Sequence, residues 1–203
     1  MIDLTLQQLV LRLIAYALIA AVHGLAVAAA ATAMGDQGPR HDGRLRVNPV
    51  AHLDVIGTVS AVLFSVGWIR PIAIDPVRLR FGRVGLVVVV AAGAAATVLS
   101  ALALRLARPL LLPLLPDTAS MTAFGLIEIV GELSAWFALI NILPLPPLTG
   151  AHLLAAAVPA WDKVNVRITL YAGFALAVIA ATGVFATTLA PGYRILRGVV
   201  LGA

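Results

Sequence analysis

The chain has 203 residues, of which 62% are hydrophobic and only 11% charged, with a net charge of +5. An ordinary soluble domain carries about a quarter charged residues, and disorder requires low hydrophobicity, so both classes are excluded and the bilayer is the solvent that suits this chain. There is no cysteine, which removes disulfides, thiolate metal sites and cysteine nucleophiles.

Read in chain order, the apolar pattern predicts about five spans in an all-α, polytopic transmembrane bundle. The first runs from about Leu4 to Met34 and is interrupted by Arg12, His23 and a few amides. At 1.5 Å per residue it is longer than a hydrocarbon core of about 30 Å, so it must tilt or protrude, and Arg12 can snorkel if it sits near one face. The stretch behind the N-terminus is far longer than the apolar part of a signal peptide and reads as a retained helix. The second span is about His52 to Trp68, short and polar at its start. The third is about Val84 to Leu106, the fourth about Ser120 to Leu143, and the fifth about Arg167 to Leu189. Alanine and glycine concentrate at Ala26 to Ala33 and at Ala91 to Ala96, where small side chains let helix backbones approach closely.

The connections carry the basic residues. Gly35 to Val50 holds Arg40, Arg44 and Arg46; Arg70 to Arg83 is broken by Pro71 and Pro76. Beside apolar spans, such loops suit anionic headgroups rather than nucleic acid, because no basic patch is interleaved with aromatics. The basic residues divide evenly between the two sides of a five-span chain, so charge assigns no orientation. Pro109, Pro113 and Pro116 predict a short interfacial or re-entrant segment. A second Pro-rich break opens a segment from Leu143 to Lys163. Trp68, Trp136 and Trp161 are candidate markers of interfacial depth.

Four polar features need partners inside a membrane. His23 stands alone on the first helix. Glu128 and Glu132 share one face of the fourth span, at i and i+4; Arg105 is a candidate partner for Glu128, and an interface with another subunit or a water-filled cavity is the other reading. Asn141 precedes Pro144, Pro146 and Pro147, where it can serve carbonyls freed by the broken helix. His52 and Asp54 begin the second span, where a carboxylate suits a helix N-terminus.

Three segments together resemble the site-2 protease family, the intramembrane zinc metalloproteases. They are AVHGLAV from Ala21 to Val27, GRLRVNPVAHLDVIGT from Gly43 to Thr58 with GWIRP from Gly67 to Pro71, and NILPLPPLTG from Asn141 to Gly150. Gly35-Asp36 and Ala92-Gly93 fall where that family has further short motifs. The resemblance covers about residues 15–155 of what reads as one membrane domain over 1–203, leaving the fifth helix and a short tail at 167–203. It implies a zinc site made by HExxH on the first helix, two histidines on one helix face with a glutamate to activate water, and a distant aspartate as third ligand. In this chain His23 matches the first histidine, Gly24 stands for the glutamate, Val27 for the second histidine and Thr149 for the aspartate. Gly93 to Thr97 lacks the proline and asparagine of the family's GPxxN-like stretch.

With the general base and two of three ligands absent, the expectation is a non-catalytic pseudoprotease, not an enzyme, with no metal and no cofactor. It would be an accessory or scaffold subunit, or an assembly partner, of a larger membrane complex. Its partners would be other integral membrane proteins and the lipid bilayer, with no nucleic acid and no soluble small-molecule substrate. The resemblance implies that Asn141, Pro144, Pro146 and Pro147 border a groove, here a docking groove. The alternative is an active intramembrane zinc metalloprotease with a rewired metal site, in which His23, His52 and Asp54 could converge. A transporter would rest on Glu128 and Glu132 alone. The expected location is a multi-pass place in a bacterial inner membrane.

Overall fold

A computed structural model describes residues 4–158, 161 and 166–202. Lys163, the far end of the second Pro-rich segment, lies outside the described residues. The helices are α1 (Leu6–Ala33), α2 (Gly38–His41), α3 (Val55–Phe64), α4 (Arg83–Leu111), α5 (Asp117–Asn141), α6 (Ala151–Ala157), α7 (Val166–Ala181), α8 (Val184–Thr188) and α9 (Ala190–Leu201). Three of them, α1, α4 continued to Leu114, and α5, are long and apolar enough to cross a membrane. These are the first, third and fourth expected spans. The other two are shorter: α3 has 10 residues and α7 has 16, about 15 Å and 24 Å against a core of about 30 Å.

Local chemistry sets the ends. Thr5 caps α1 in a reciprocal box: the Gln8 N–H donates to Thr5 Oγ1 at 3.2 Å, and the Thr5 N–H donates to Gln8 Oε1 at 3.0 Å. Asp54 caps α3 by accepting from the Gly57 N–H at 2.8 Å, and Ser65 ends that helix in the left-handed conformation at φ 62°. The first Pro-rich segment differs from expectation. Helix α4 runs through Pro109 to Leu111 and closes in a 3-10 turn at Leu112–Leu114. The short turn makes α4 and α5 antiparallel neighbours.

The core is built on α1, α4 and α5, which pack chiefly on one another. On α4 the buried residues Gly85, Val89, Gly93, Thr97 and Ala101 fall every fourth position. That row of small side chains forms a shallow groove into which a neighbouring ridge can settle. Helix α1 buries Tyr16, Ile19, Ala20, His23, Val27 and Ala31, a stripe with helical spacing. Large apolar side chains such as Leu6, Leu99, Leu106, Met121 and Phe174 point outward, the arrangement expected of a surface solvated by lipid.

The irregular segments are fixed by polar contacts. Asp36, fully buried, accepts from the Gly38 N–H at 2.9 Å and the Asp75 N–H at 2.8 Å. Gly35 takes φ 115° beside the Arg78 carbonyl, where a Cβ would lie 2.7 Å from that oxygen; only glycine fits this approach. Arg12 finds its partner within the protein. It donates to the Val62 carbonyl in the last turn of α3 at 2.9 Å, satisfying one of that helix's terminal acceptors.

Candidate active site around His23

His23 is 1% exposed and lies between α1, α4 and the chain just before α6. Its Nδ1 is 3.0 Å from Thr97 Oγ1, and its Nε2 is 2.9 Å from Thr149 Oγ1. The Thr97 hydroxyl donates to the Gly93 carbonyl at 2.9 Å. A hydroxyl has one proton, so with that bond made Thr97 is assigned as the acceptor from His23. The imidazole therefore carries its proton on Nδ1, and Nε2 is left as the acceptor for the Thr149 hydroxyl. The ring is further held edge-on to Phe137, with centroids 4.9 Å apart at 75°, the geometry that an aromatic quadrupole favours.

Gly93 completes the enclosure. A Cβ there would lie 2.6 Å from Val27 Cγ2 and 2.8 Å from His23 Cε1, so α4 meets α1 at this level only without a side chain. Val27 thus fills space with a methyl where the resemblance implies a ligating imidazole. Gly24, in the place of the general base, faces the ring of His52. His52 is fully buried. Its Nε2–H donates to the Arg46 carbonyl at 2.9 Å, which leaves Nδ1 as a lone-pair acceptor, and Nδ1 finds no hydrogen-bond donor.

These residues do not fit the zinc that the resemblance implies. Both nitrogens of His23 are engaged by hydroxyls, Val27 offers no donor atom, and the hydroxyl of Thr149 is neutral. No group of three or more His, Cys, Asp or Glu converges among the described residues, whereas tetrahedral zinc takes several such ligands. His23, His52 and Asp54 therefore do not form the rewired cluster the sequence allowed: Asp54 is turned to its helix cap and His52 to Arg46.

The remaining expected residues lie elsewhere. Asn141 is 1% exposed; it donates from Nδ2 to the Gly67 carbonyl at 2.9 Å and the Phe137 carbonyl at 3.0 Å. It serves backbone acceptors and is closed off, so it does not line an open groove. Pro147 is buried with it, Pro146 is half-buried and Pro144 is exposed. Glu128 pairs with Arg108, not Arg105, at 2.8 Å; Arg105 donates instead to the Val199 carbonyl at 3.0 Å. Glu132 stands 3.9 Å from Arg197 on α9, beside a cleft lined by Arg12, Ser65 and Trp136. Trp136 itself stacks on Tyr193, 4.2 Å between centroids. Thr97 was visible in the sequence only as a departure from a motif. Its signal was position: it lies four residues beyond Gly93, on the same face of α4.

What the fold and site define is an all-helical membrane protein with an imidazole held between two hydroxyls at its centre. Over 147 residues the chain is 33% identical to the Bacillus subtilis protein named "Putative zinc metalloprotease YwhC", across 68% of this chain and 64% of that protein. The chain thus spans just under two thirds of the length of that relative. The likeness supports a metalloprotease-like family. That relative is named a metalloprotease, which overturns the expectation that the chain is not an enzyme. No protein-family model and no solved structure matches the chain.

Proposed function

We propose that the chain is an intramembrane peptidase of the site-2 protease kind, acting on a membrane-borne polypeptide through a site rebuilt around His23. The observation that carries this reading is convergence. Positions 23, 27, 93, 97 and 149 fall in motifs the resemblance ties to an active site, and His23 contacts Thr97 and Thr149, up to 126 residues away in sequence, while Gly93 packs on His23 and Val27, which supports this reading. The likeness to a protein named as a zinc metalloprotease supports the same class. A general base within reach of a hydroxyl, and itself oriented by a third group, is an arrangement that can support acyl transfer. The three long apolar helices favour a multi-pass place in a bacterial inner membrane.

The test is cleavage. The purified chain, reconstituted in vesicles with a panel of single-span peptides, should cut at least one of them within the apolar segment. His23→Gln should abolish that cut. A panel left intact by folded protein overturns the reading.

A further inference from the structure

The hydrogen bonds around His23 have a direction, and the direction has chemical consequences. With the Thr97 hydroxyl assigned to the Gly93 carbonyl, Nδ1–H donates to Thr97 and Thr149 donates to Nε2. The bond from Thr97 to Gly93 lies within α4, between residues four apart, so helix geometry fixes the register of the whole chain of protons. In that tautomer the Nε2 lone pair faces the Thr149 hydroxyl, and the Thr149 oxygen has no proton to accept from His23. All three residues are buried, Thr149 at 6% exposure, His23 at 1% and Thr97 at 0%, so Thr149 lies nearest the surface and a substrate reaches it only when the neighbouring turn yields. Beside it, the turn at Ile142 to Leu145 is largely open while Leu148 is closed.

We propose that Thr149 and His23 form a metal-independent nucleophile–base dyad, with Thr97 as the positioning residue that holds the imidazole in its reactive tautomer. The proposal rests on the peptidase reading for its substrate, a peptide carbonyl. The Thr149 oxygen bonds to the carbonyl carbon as its proton passes to Nε2. The carbon–nitrogen bond then breaks, and the leaving amine takes that proton from Nε2. Water attacks the resulting ester, giving its proton to Nε2, and Thr149 leaves as the hydroxyl with the proton returned. Atoms and charge balance with water as the one co-reactant. The disagreement between donor set and zinc is thereby explained: the hydroxyl at position 149 is the attacking group, where the resembled family has a ligand.

Two experiments on the full chain in detergent or vesicles separate this proposal from the reading beneath it. An alkyl β-lactone acylates activated hydroxyls without needing a peptide substrate. Intact mass and peptide mapping should show one adduct on Thr149. It should persist in Thr149→Ser, vanish in Thr149→Val, and form at least about 100-fold more slowly in His23→Gln, the usual contribution of a general base. Thr97→Val should slow labelling and move its pH profile, while Thr97→Ser restores both. Melting curves identify any variant that has failed to fold, and Thr149→Val, nearly isosteric, keeps the test open if His23→Gln does not fold. No adduct on folded wild type, or labelling unaffected by His23→Gln, overturns the dyad. In the vesicle assay the dyad requires cleavage that survives a strong chelator and disappears in Thr149→Val. Cleavage abolished by the chelator and retained in Thr149→Val overturns it while the peptidase reading stands. Labelling at Thr149 with no peptide cut supports the dyad and overturns the peptidase reading.

Discussion

The imidazole of His52 lies against the Cα of Gly24, so close that a Cβ on residue 24 would sit 2.7 Å from His52 Cγ and nearer still to Nδ1. The Cα–H of Gly24 points at an Nδ1 that finds no ordinary donor, a weak contact that softens the cost of an unpaired buried acceptor. A loop histidine thus occupies the volume into which any side chain at position 24 would project. Gly24→Ala should destabilise the protein by about 1–3 kcal/mol, the range for overpacking a close-packed site. Gly24→Glu should cost more and should not restore metal chemistry. Adding His52→Ala should recover part of the loss in both. Additive losses in a double-mutant cycle, measured by denaturant titration in micelles, would refute the steric coupling.

Glu128 and Glu132 share a helix face but not a fate. Glu128 meets Arg108 at 2.8 Å, whereas Glu132 stands 3.9 Å from Arg197 with both side chains more exposed. A hydrogen bond to a charged group contributes about 1.5–3 kcal/mol when buried, and a surface ion pair about 1 kcal/mol or less. With a third of each side chain open, Glu128→Gln should cost about 1 kcal/mol. Glu132→Gln should be close to silent in the same titration. Equal losses from the two would remove the distinction.

The long spans were legible because their signal is additive: apolar runs of more than 20 residues declare α1, α4 and α5 whatever their tertiary surroundings. The short elements were not. Apolar composition around α3 continues past the helix, so nothing in that run marks Ser65 as the left-handed residue that stops it after 10 residues. The run through Pro109 failed in the other direction, since a proline near a helix end loses little when the freed carbonyl lies in the last turns. At the candidate site, motif positions singled out His23, Gly24, Val27 and Thr149; His23 meets Thr149, Val27 packs beside them under Gly93, and Gly24 faces His52 instead. What replaced the missing groups was hidden, because a threonine or a loop histidine becomes a partner only through contacts some 28 to 126 residues away in sequence.

Acid should loosen the second Pro-rich break. Burial pushes His152, at the start of α6, down from 6.5 to about 4, against the opposing pull of its hydrogen bond to the Ile72 backbone. Burial also lowers His52. A histidine lowered on folding is neutral in the native state and takes up a proton more readily when unfolded. Its contribution is therefore complete above pH 6.5 and is lost as pH falls toward 4. Stability in micelles should be flat above 6.5 and decline through that window, with a shallower decline in His152→Gln. A slope unchanged by that substitution would assign the acid sensitivity to other groups.

Asn141 joins the end of α5 to the segment before α4, since its Nδ2 spans the Gly67 and Phe137 carbonyls while its own carbonyl accepts from the Gly150 N–H at 2.7 Å. Its Oδ1 has no donor, so the side chain is present for its two N–H groups. Asn141→Leu keeps the volume and removes the donors, which should cost about 1–3 kcal/mol through the carbonyls left unserved. Asn141→Asp keeps the shape but directs a second acceptor at the same carbonyls and buries a charge with no cation beside it, which is worse. The expected order of stability is wild type, then Leu, then Asp, read from denaturation midpoints in one detergent. An aspartate variant as stable as the leucine variant would mean that Asn141 is held by its surroundings and not by its donors, and the junction between Gly67 and α5 would need another account.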